Sequence, residues 1–425
     1  MKNSIPCTLI VPKTFVRFIW ILFVIVFSCG DKEVDATQKR KVVLVILDGI
    51  PASTLEQTDT PNLDEISQIG DYRRAWLGGE KGGYSETPTI SAVGYNSMLT
   101  GTWANKHNVK DNRIQFPNYN YWTIFRHFKQ TYPDMTTAVY STWLDNRTKL
   151  LGDGLEETGY LKIDYHFDGL ELDTIRFPHD TLSFYIHEID KLVAENAAKE
   201  ILEKSPDLTW VYLQYTDDMG HKFGEGPEMN AAVQEADKQI GLIWKSIKER
   251  KEKNGEEFLL IVTTDHGRAL GGFHHGGQTS EEREIWIVSN QQFLWPKDLK
   301  PAIVDIFPTV ADFFQIQISK EQAMELDGVS LIEKPYAYGL KGVLDSKQLH
   351  LSWEFLGENG EGRVWITLGN QFRFGKQDEY TFLGKVNLNE EKAIFDLSEL
   401  DFQNAKVIME MPKGYLNYWV LKDGK

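Results

Sequence analysis

Four short segments concentrate acidic and imidazole side chains. Asp48 sits in Leu47-Asp48-Gly49. Asp217 and His221 sit in Tyr215-Thr216-Asp217-Asp218-Met219-Gly220-His221. Asp265 and His266 sit in Val262-Thr263-Thr264-Asp265-His266-Gly267, and Gly272-Phe273-His274-His275-Gly276-Gly277 follows. Four of the ten histidines fall in these segments, too many for scattered structural histidines. Carboxylate oxygens and imidazole nitrogens suit Zn²⁺ and similar divalent ions. A fifth segment, Thr87-Pro88-Thr89-Ile90-Ser91-Ala92-Val93-Gly94-Tyr95-Asn96-Ser97-Met98-Leu99-Thr100-Gly101, places Ser91 at the start of a short apolar helix. A serine there caps a helix. Read alone it is more often a cap, but it can also be a nucleophile, because helix N-terminal amides attract phosphate.

The elements that must hold these residues are legible as hydrophobic patterns. Lys41 to Leu47 is a continuous β-branched run, as expected of a strand buried on both faces. Similar runs recur at Thr137–Ser141, Thr209–Tyr215, Phe258–Thr263 and Ile285–Val288, separated by helical patterns at His179–Lys204 and Glu228–Lys253. Strands alternating with helices predict an α/β fold, a mostly parallel sheet sandwiched by helices. In such sheets ligands bind beyond the carboxyl ends of the strands, where Asp48, Asp217 and Asp265 fall. From Leu349 the pattern changes to short alternating runs. Asn359-Gly360 reads as a hairpin turn between two of them, and Phe372-Arg373-Phe374 as a further run. A small β-rich module is expected over residues 345–425.

Composition narrows the function. The chain has 425 residues, 46 Lys+Arg against 62 Asp+Glu and a net charge of −16, which argues against nucleic acid as a stable partner. Two cysteines cannot build a disulfide framework or a thiolate zinc site. Lys2, Lys13 and Arg17 precede the apolar run Phe18–Phe27, too short to span a bilayer as a helix. Residues 1–28 read as a signal peptide. Ser28-Cys29 resembles a bacterial lipobox, which implies export and a lipid anchor at Cys29, facing the periplasm or cell surface. Residues 29–40 read as a flexible tether.

In order and spacing these segments resemble the alkaline phosphatase superfamily, with the greatest similarity to type I phosphodiesterases and nucleotide pyrophosphatases. The resemblance runs from Lys41 to Leu331 and includes Asp305-Ile306-Phe307-Pro308-Thr309 and Leu326-Asp327-Gly328. It implies an alkaline-phosphatase-like catalytic domain over residues 41–340, with 114–178 as a cap. It also implies two divalent ions, Zn²⁺ being the expected metal. Asp48, Asp265 and His266 would hold one, with Ser91 as hydroxyl ligand and nucleophile. Asp217, His221 and a late histidine would hold the other; His275 fits the pattern, with His274 as its competitor. Asn112 would donate to a phosphoryl oxygen, as would backbone N–H groups near Ser91. His107 is read as structural, Asp218 as a neighbour behind Asp217 or a solvent-facing residue, and Asp327 as a repeat of the Leu-Asp-Gly string that lies after the sheet is complete and outside the site.

The substrate implied is a small phosphate ester, cleaved through a phosphoseryl intermediate. A phosphomonoesterase on the same core is the alternative, with Lys110, Arg113, Arg147 and Lys149 as candidate partners for the extra charge. A non-catalytic lipoprotein binding a glycan or a protein is the reading from another class. Ala92 stands where the pyrophosphatase branch has an aromatic ring, which weakens the case for a nucleobase. Trp122, Trp143 and Tyr160 are candidates to line the cavity. Oligomeric state is left open.

Overall fold

The computed structural model describes residues 39–422. The expected signal peptide, Cys29 and nearly all of the tether lie outside the described residues. Among the described residues no helix is long and apolar enough to cross a membrane.

A seven-stranded sheet forms the centre, from β1 (Arg40–Leu47), β2 (Asp71–Trp76), β3 (Thr137–Ser141), β4 (Tyr165–Phe167), β5 (Leu208–Leu213), β6 (Glu257–Thr263) and β7 (Glu284–Ser289). Their spatial order is β2-β7-β6-β1-β5-β3-β4. The strands from β6 through β4 are parallel. The unbroken apolar run of β1 is explained by its two buried faces. Val42, Leu44 and Ile46 pack into one core with Tyr95, Trp210 and Phe307. Val43, Val45 and Leu47 pack into the other with Ile189, Val193, Ile240 and Ile243. These last four come from the long helices Phe184–Glu203 and Pro227–Asn254.

In the central sheet two expectations require correction, and one strand went unread. The Ile285–Val288 run is antiparallel to both its neighbours. The loop between β6 and β7 holds no helix but the four-residue Ser280–Arg283, so the chain turns back without the crossover helix that a parallel return usually uses. The Thr209–Tyr215 run stops at Leu213, and Tyr215 opens a helix, Tyr215–Phe223. β2 carried no apolar signal, because Asp71 and Arg73 are buried within it as an ion pair.

The C-terminal part contains β8 (Ala337–Asp345), β9 (Gln348–Phe355), β10 (Glu361–Thr367), β11 (Thr381–Asn387), β12 (Lys392–Asp396), β13 (Asn404–Glu410) and β14 (Tyr415–Leu421). They form a four-stranded sheet, β11-β10-β13-β14, and a three-stranded sheet, β12-β9-β8. One core, including Leu349, Trp353, Val364 and Val407, joins them. Asn359-Gly360 is not a hairpin turn, since β9 and β10 lie in different sheets. Its glycine is favoured instead by packing, because a Cβ there would meet Leu388 at 2.9 Å. Phe372–Phe374 is a short 3₁₀ helix rather than a strand.

Buried charges bind this part to the core. Lys106 Nζ donates to Glu325 O, Asp327 Oδ1 and Asn417 Oδ1 at 2.7, 2.6 and 2.9 Å. Asp327 Oδ2 also accepts from Trp103 N. Lys406, fully buried on β13, contacts Glu325 Oε1 and Asp378 Oδ2. Lys106, held by Asp327 in the core and bonded to Asn417 on β14, is therefore a latch between the two parts.

Candidate active site

Three adjacent central strands deliver the acidic residues. Asp48 follows β1, Asp217 lies in the first turn of the helix after β5, and Asp265-His266 follows β6. The helix Ser91–Thr100 lies against the same edge, and Gly94 permits its close approach. A Cβ at Gly94 would stand 2.5 Å from Asp265 O.

The geometry centres on His266, which is fully buried. Its Nδ1 lies 2.9 Å from Gly267 O, and a carbonyl only accepts. Nδ1 therefore carries the hydrogen, and in the neutral ring Nε2 presents its lone pair. Around that Nε2 stand Ser91 Oγ at 3.3 Å, Asp48 Oδ1 at 3.3 Å and Asp265 Oδ2 at 3.4 Å. Both carboxylate oxygens are buried without a hydrogen bond. Asp48 Oδ2, by contrast, accepts from Tyr212 OH at 2.6 Å and from Tyr95 OH.

The second group repeats the arrangement. His221 Nδ1 is tied to Phe273 O and His275 Nδ1 to Thr89 O, each at 2.9 Å. Their Nε2 atoms face each other at 3.1 Å, and Asp217 Oδ2 stands 3.3 Å from His221 Nε2. Ligand atoms of Asp217, His221 and His275 lie within 4.8 Å of one another, as do those of Asp48, Asp217 and His266. Lone pairs and carboxylate oxygens crowded together repel, and a cation between them reverses the sign. The donor set, with each imidazole oriented through its other nitrogen, fits divalent metal.

The electrostatics agree. Burial, then the Asp48 charge, pushes the Asp265 carboxyl well above its usual range. Burial also acts to raise Asp217, but the His221 hydrogen bond and the Arg268 charge more than offset it and hold it low. The Asp217 hydrogen bond raises His221, whereas burial and neighbouring His266 lower His275 to about 4.

Other expected residues fall as follows. His274 is exposed, outside both groups. His107 is fully buried, with Nδ1 accepting from Val109 N and Nε2 3.1 Å from Ser97 Oγ; burial lowers it to about 3. Asp218 accepts from Ser183 Oγ and Gln214 Nε2. Asn112 Oδ1 accepts from Ala92 N at 3.0 Å. The Ala92 amide is thus engaged, and the Asn112 NH₂ is the donor left over.

A cavity of about 290 Å³ opens beside Ser91, lined by Asn112, Trp143, Glu171, Tyr185 and Gln214 among others. Of the three aromatic candidates only Trp143 lines it. Trp122 packs on Arg126 and His127, and Tyr160 is exposed. No Lys or Arg lines it either. Arg147 is held by Asp153 and Asp168, Lys149 by Asp145 and Arg113 by Asp111, while Lys110 is exposed.

Sequence reasoning missed Arg268, Tyr95 and Tyr212. Arg268 is almost completely buried and donates to Gly49 O at 2.8 Å, Asp217 O at 2.9 Å and Gly272 O at 3.2 Å. It clips together the loops that carry the acidic residues. Its nearness to Asp265-His266 in sequence was a signal. Tyr95, one helical turn beyond Ser91, was another.

The sheet and site define an α/β protein with a serine-bearing helix beside a cluster of Asp and His side chains that fits a divalent metal. The sequence profile of type I phosphodiesterase / nucleotide pyrophosphatase matches residues 42–276, more than half of the chain. The chain belongs to that family, within the alkaline phosphatase superfamily. It is 26% identical to ectonucleotide pyrophosphatase/phosphodiesterase family member 7 of Mus musculus over 54% of this chain and 50% of that protein. It is 24% identical to a venom phosphodiesterase of Macrovipera lebetinus over 54% of this chain and 26% of that protein. The match thus spans half or less of these relatives' length. The crystal structure of Ps i-CgsB in complex with k-i-k-neocarrahexaose shares the fold, at TM-score 0.50 and 14% identity, covering 74% of this chain and 82% of that one.

Proposed function

We propose that this protein is a two-metal phosphodiesterase with Ser91 as its nucleophile. The observation that carries the reading is the convergence of Ser91 Oγ, two hydrogen-bond-free carboxylate oxygens and a lone-pair Nε2 at the carboxyl edge of the sheet. Asp48, Asp265 and His266, with Ser91, would hold one ion; Asp217, His221 and His275 would hold the other. Bound there, two divalent ions, with Zn²⁺ suited to this donor set, would lower the hydroxyl pKa of Ser91 and offset the negative charge that develops on the leaving oxygen.

Ser91 Oγ attacks phosphorus in line with the departing alkoxide, giving a substituted phosphoseryl enzyme and the first alcohol. Water then attacks the same phosphorus, the bond to Ser91 Oγ breaks and that oxygen regains a proton, and a phosphate monoester leaves, so the kinetics are ping-pong. Asn112 Nδ2 donates to a non-bridging oxygen, held in place by its Oδ1 on Ala92 N. Arg268 keeps Asp217 in position, and Tyr95 and Tyr212, which also line the cavity, keep Asp48 in position.

The lining favours a diester. A monoester dianion brings an additional charge, yet the cavity contributes Glu171 and no Lys or Arg. The family's nucleotide substrates are a weaker fit, since Ala92 offers no ring for a base. Bis-p-nitrophenyl phosphate should be hydrolysed with a higher kcat/KM than p-nitrophenyl phosphate. The opposite order would sink the diesterase reading in favour of a monoesterase.

A further inference from the structure

A second cavity, of about 390 Å³, is larger than the one beside Ser91 and shares no lining residue with it. It opens beside β2, the outermost strand of the central sheet on one side. The core lends it Trp76, and the loop after β2 lends Glu80. The C-terminal sheets lend Lys341 on β8, Glu354 on β9, and Tyr418 and Trp419 on β14. Small-molecule sites are commonly of this size and lie where two parts of a fold meet. Burial, then the Glu80 charge, raises the Tyr418 phenol, so these two side chains act on each other from opposite parts of the fold.

The polar groups on this wall fall into two sets. Some are already engaged. Arg283 donates to Gly79 O at 2.6 Å and Leu77 O at 3.1 Å, and Asp327 accepts from Lys106 Nζ and Trp103 N. Others are not. The side chains of Glu80, Glu354 and Lys341 make no hydrogen bond or ion pair with the described residues. Trp419 is only 7% exposed, and its Nε1–H is buried without an acceptor. Most buried donors are paired, so such an exception calls for a partner. Tyr418 is half-buried, and no other ring among the described residues covers it.

We infer that this cavity is a second ligand site, separate from the proposed catalytic centre, and that its ligand is a neutral saccharide. A saccharide ring carries C–H groups on its faces and hydroxyls around its edge. The faces suit the Tyr418 ring. The hydroxyls donate to Glu80 and Glu354 and accept from Lys341 and from Trp419 Nε1–H. An anion is disfavoured, because two unpaired carboxylates stand against one ammonium. An apolar ligand would take those carboxylates out of water and give them no donor. Peptides are read through apolar pockets or backbone pairing, whereas the unspent groups here are charged side chains beside an aromatic face.

Calorimetric titration of the full-length chain tests this. Maltohexaose, cellohexaose, xylohexaose, mannohexaose and chitohexaose are the neutral probes; pentalysine and hexagalacturonate are the charged ones. At least one neutral probe should bind with a Kd of about 1 mM or tighter, and more tightly than either charged probe. Glu354→Ala and Tyr418→Ala should each weaken that probe about tenfold or more, while Tyr418→Phe, which keeps the ring, should stay within about threefold. Glu354 is exposed, so its loss leaves the core undisturbed. Hydrolysis of bis-p-nitrophenyl phosphate should be unchanged in all three variants, and chelation should leave saccharide binding unchanged. Absence of binding by every neutral probe at about 10 mM overturns the inference, as does tighter binding of a charged probe. Undiminished binding in Glu354→Ala and Tyr418→Ala overturns it as well. Loss of binding on chelation would move the saccharide to the Asp/His groups and overturn it too.

Discussion

At the residue scale the site depends on which nitrogen of each histidine is free. Nδ1 of His221, His266 and His275 is occupied by a backbone carbonyl, so only Nε2 can bind a ligand. His274, one residue from His275, is exposed and contributes only its backbone carbonyl, to Ala269 N. His275→Ala should therefore lower metal affinity by more than the roughly 10–100-fold typical of losing a mere orienting partner. His274→Ala should leave affinity within about twofold, as expected of a solvent-facing side chain. Competition with a chromogenic chelator measures both, and equal losses would contradict the assignment. The motifs that brought these residues forward are short and local, so they could be read without the fold. Arg268 stands beside Asp265-His266 in sequence, but its role could not be read, because its partners Gly49 and Asp217 are distant in sequence and the side chain acts only where three loops meet.

At the element scale, the close approach of the Ser91–Thr100 helix to the end of β6 sets the position of Ser91, the proposed nucleophile. Gly94 to Ala would ordinarily stabilise a helix by roughly 1 kcal/mol. Here the added methyl would meet Asp265 O at 2.5 Å, backbone against backbone-linked carbon. The expected outcome is a loss of about 1–3 kcal/mol in urea unfolding, with reduced turnover as Ser91 is displaced. A stabilised variant with full turnover would show that this contact does not matter. Strand existence was legible wherever both faces are buried, as in β1, β3, β5 and β6. β2 was hidden because its interior positions hold an Asp–Arg pair. The direction of β7 was hidden because direction depends on what connects strands, not on their composition.

At the scale of the whole molecule, the α/β core and the antiparallel C-terminal sheets share buried ion pairs. Lys406 has no exposed surface and serves Glu325 and Asp378 together. Replacing it by Met keeps the volume but strands two carboxylates away from water, which should cost about 3–5 kcal/mol. Chemical denaturation followed by tryptophan fluorescence measures this. An unchanged midpoint would mean that the apolar core alone holds the sheets in place. The change of pattern after Leu349 disclosed a β-rich end, but the Asn359-Gly360 signal misassigned its strand pairing. Nothing local in that dipeptide records that the chain is passing from one sheet to the other.

Hydrolysis of bis-p-nitrophenyl phosphate by chelated, Zn²⁺-restored and Ser91→Ala protein tests the central claim most directly. Activity should disappear on chelation and return with Zn²⁺. Ser91→Ala, though it still binds metal, should remain at least about 10³-fold below the native protein. Full activity in Ser91→Ala, or in the chelated protein, would contradict the account.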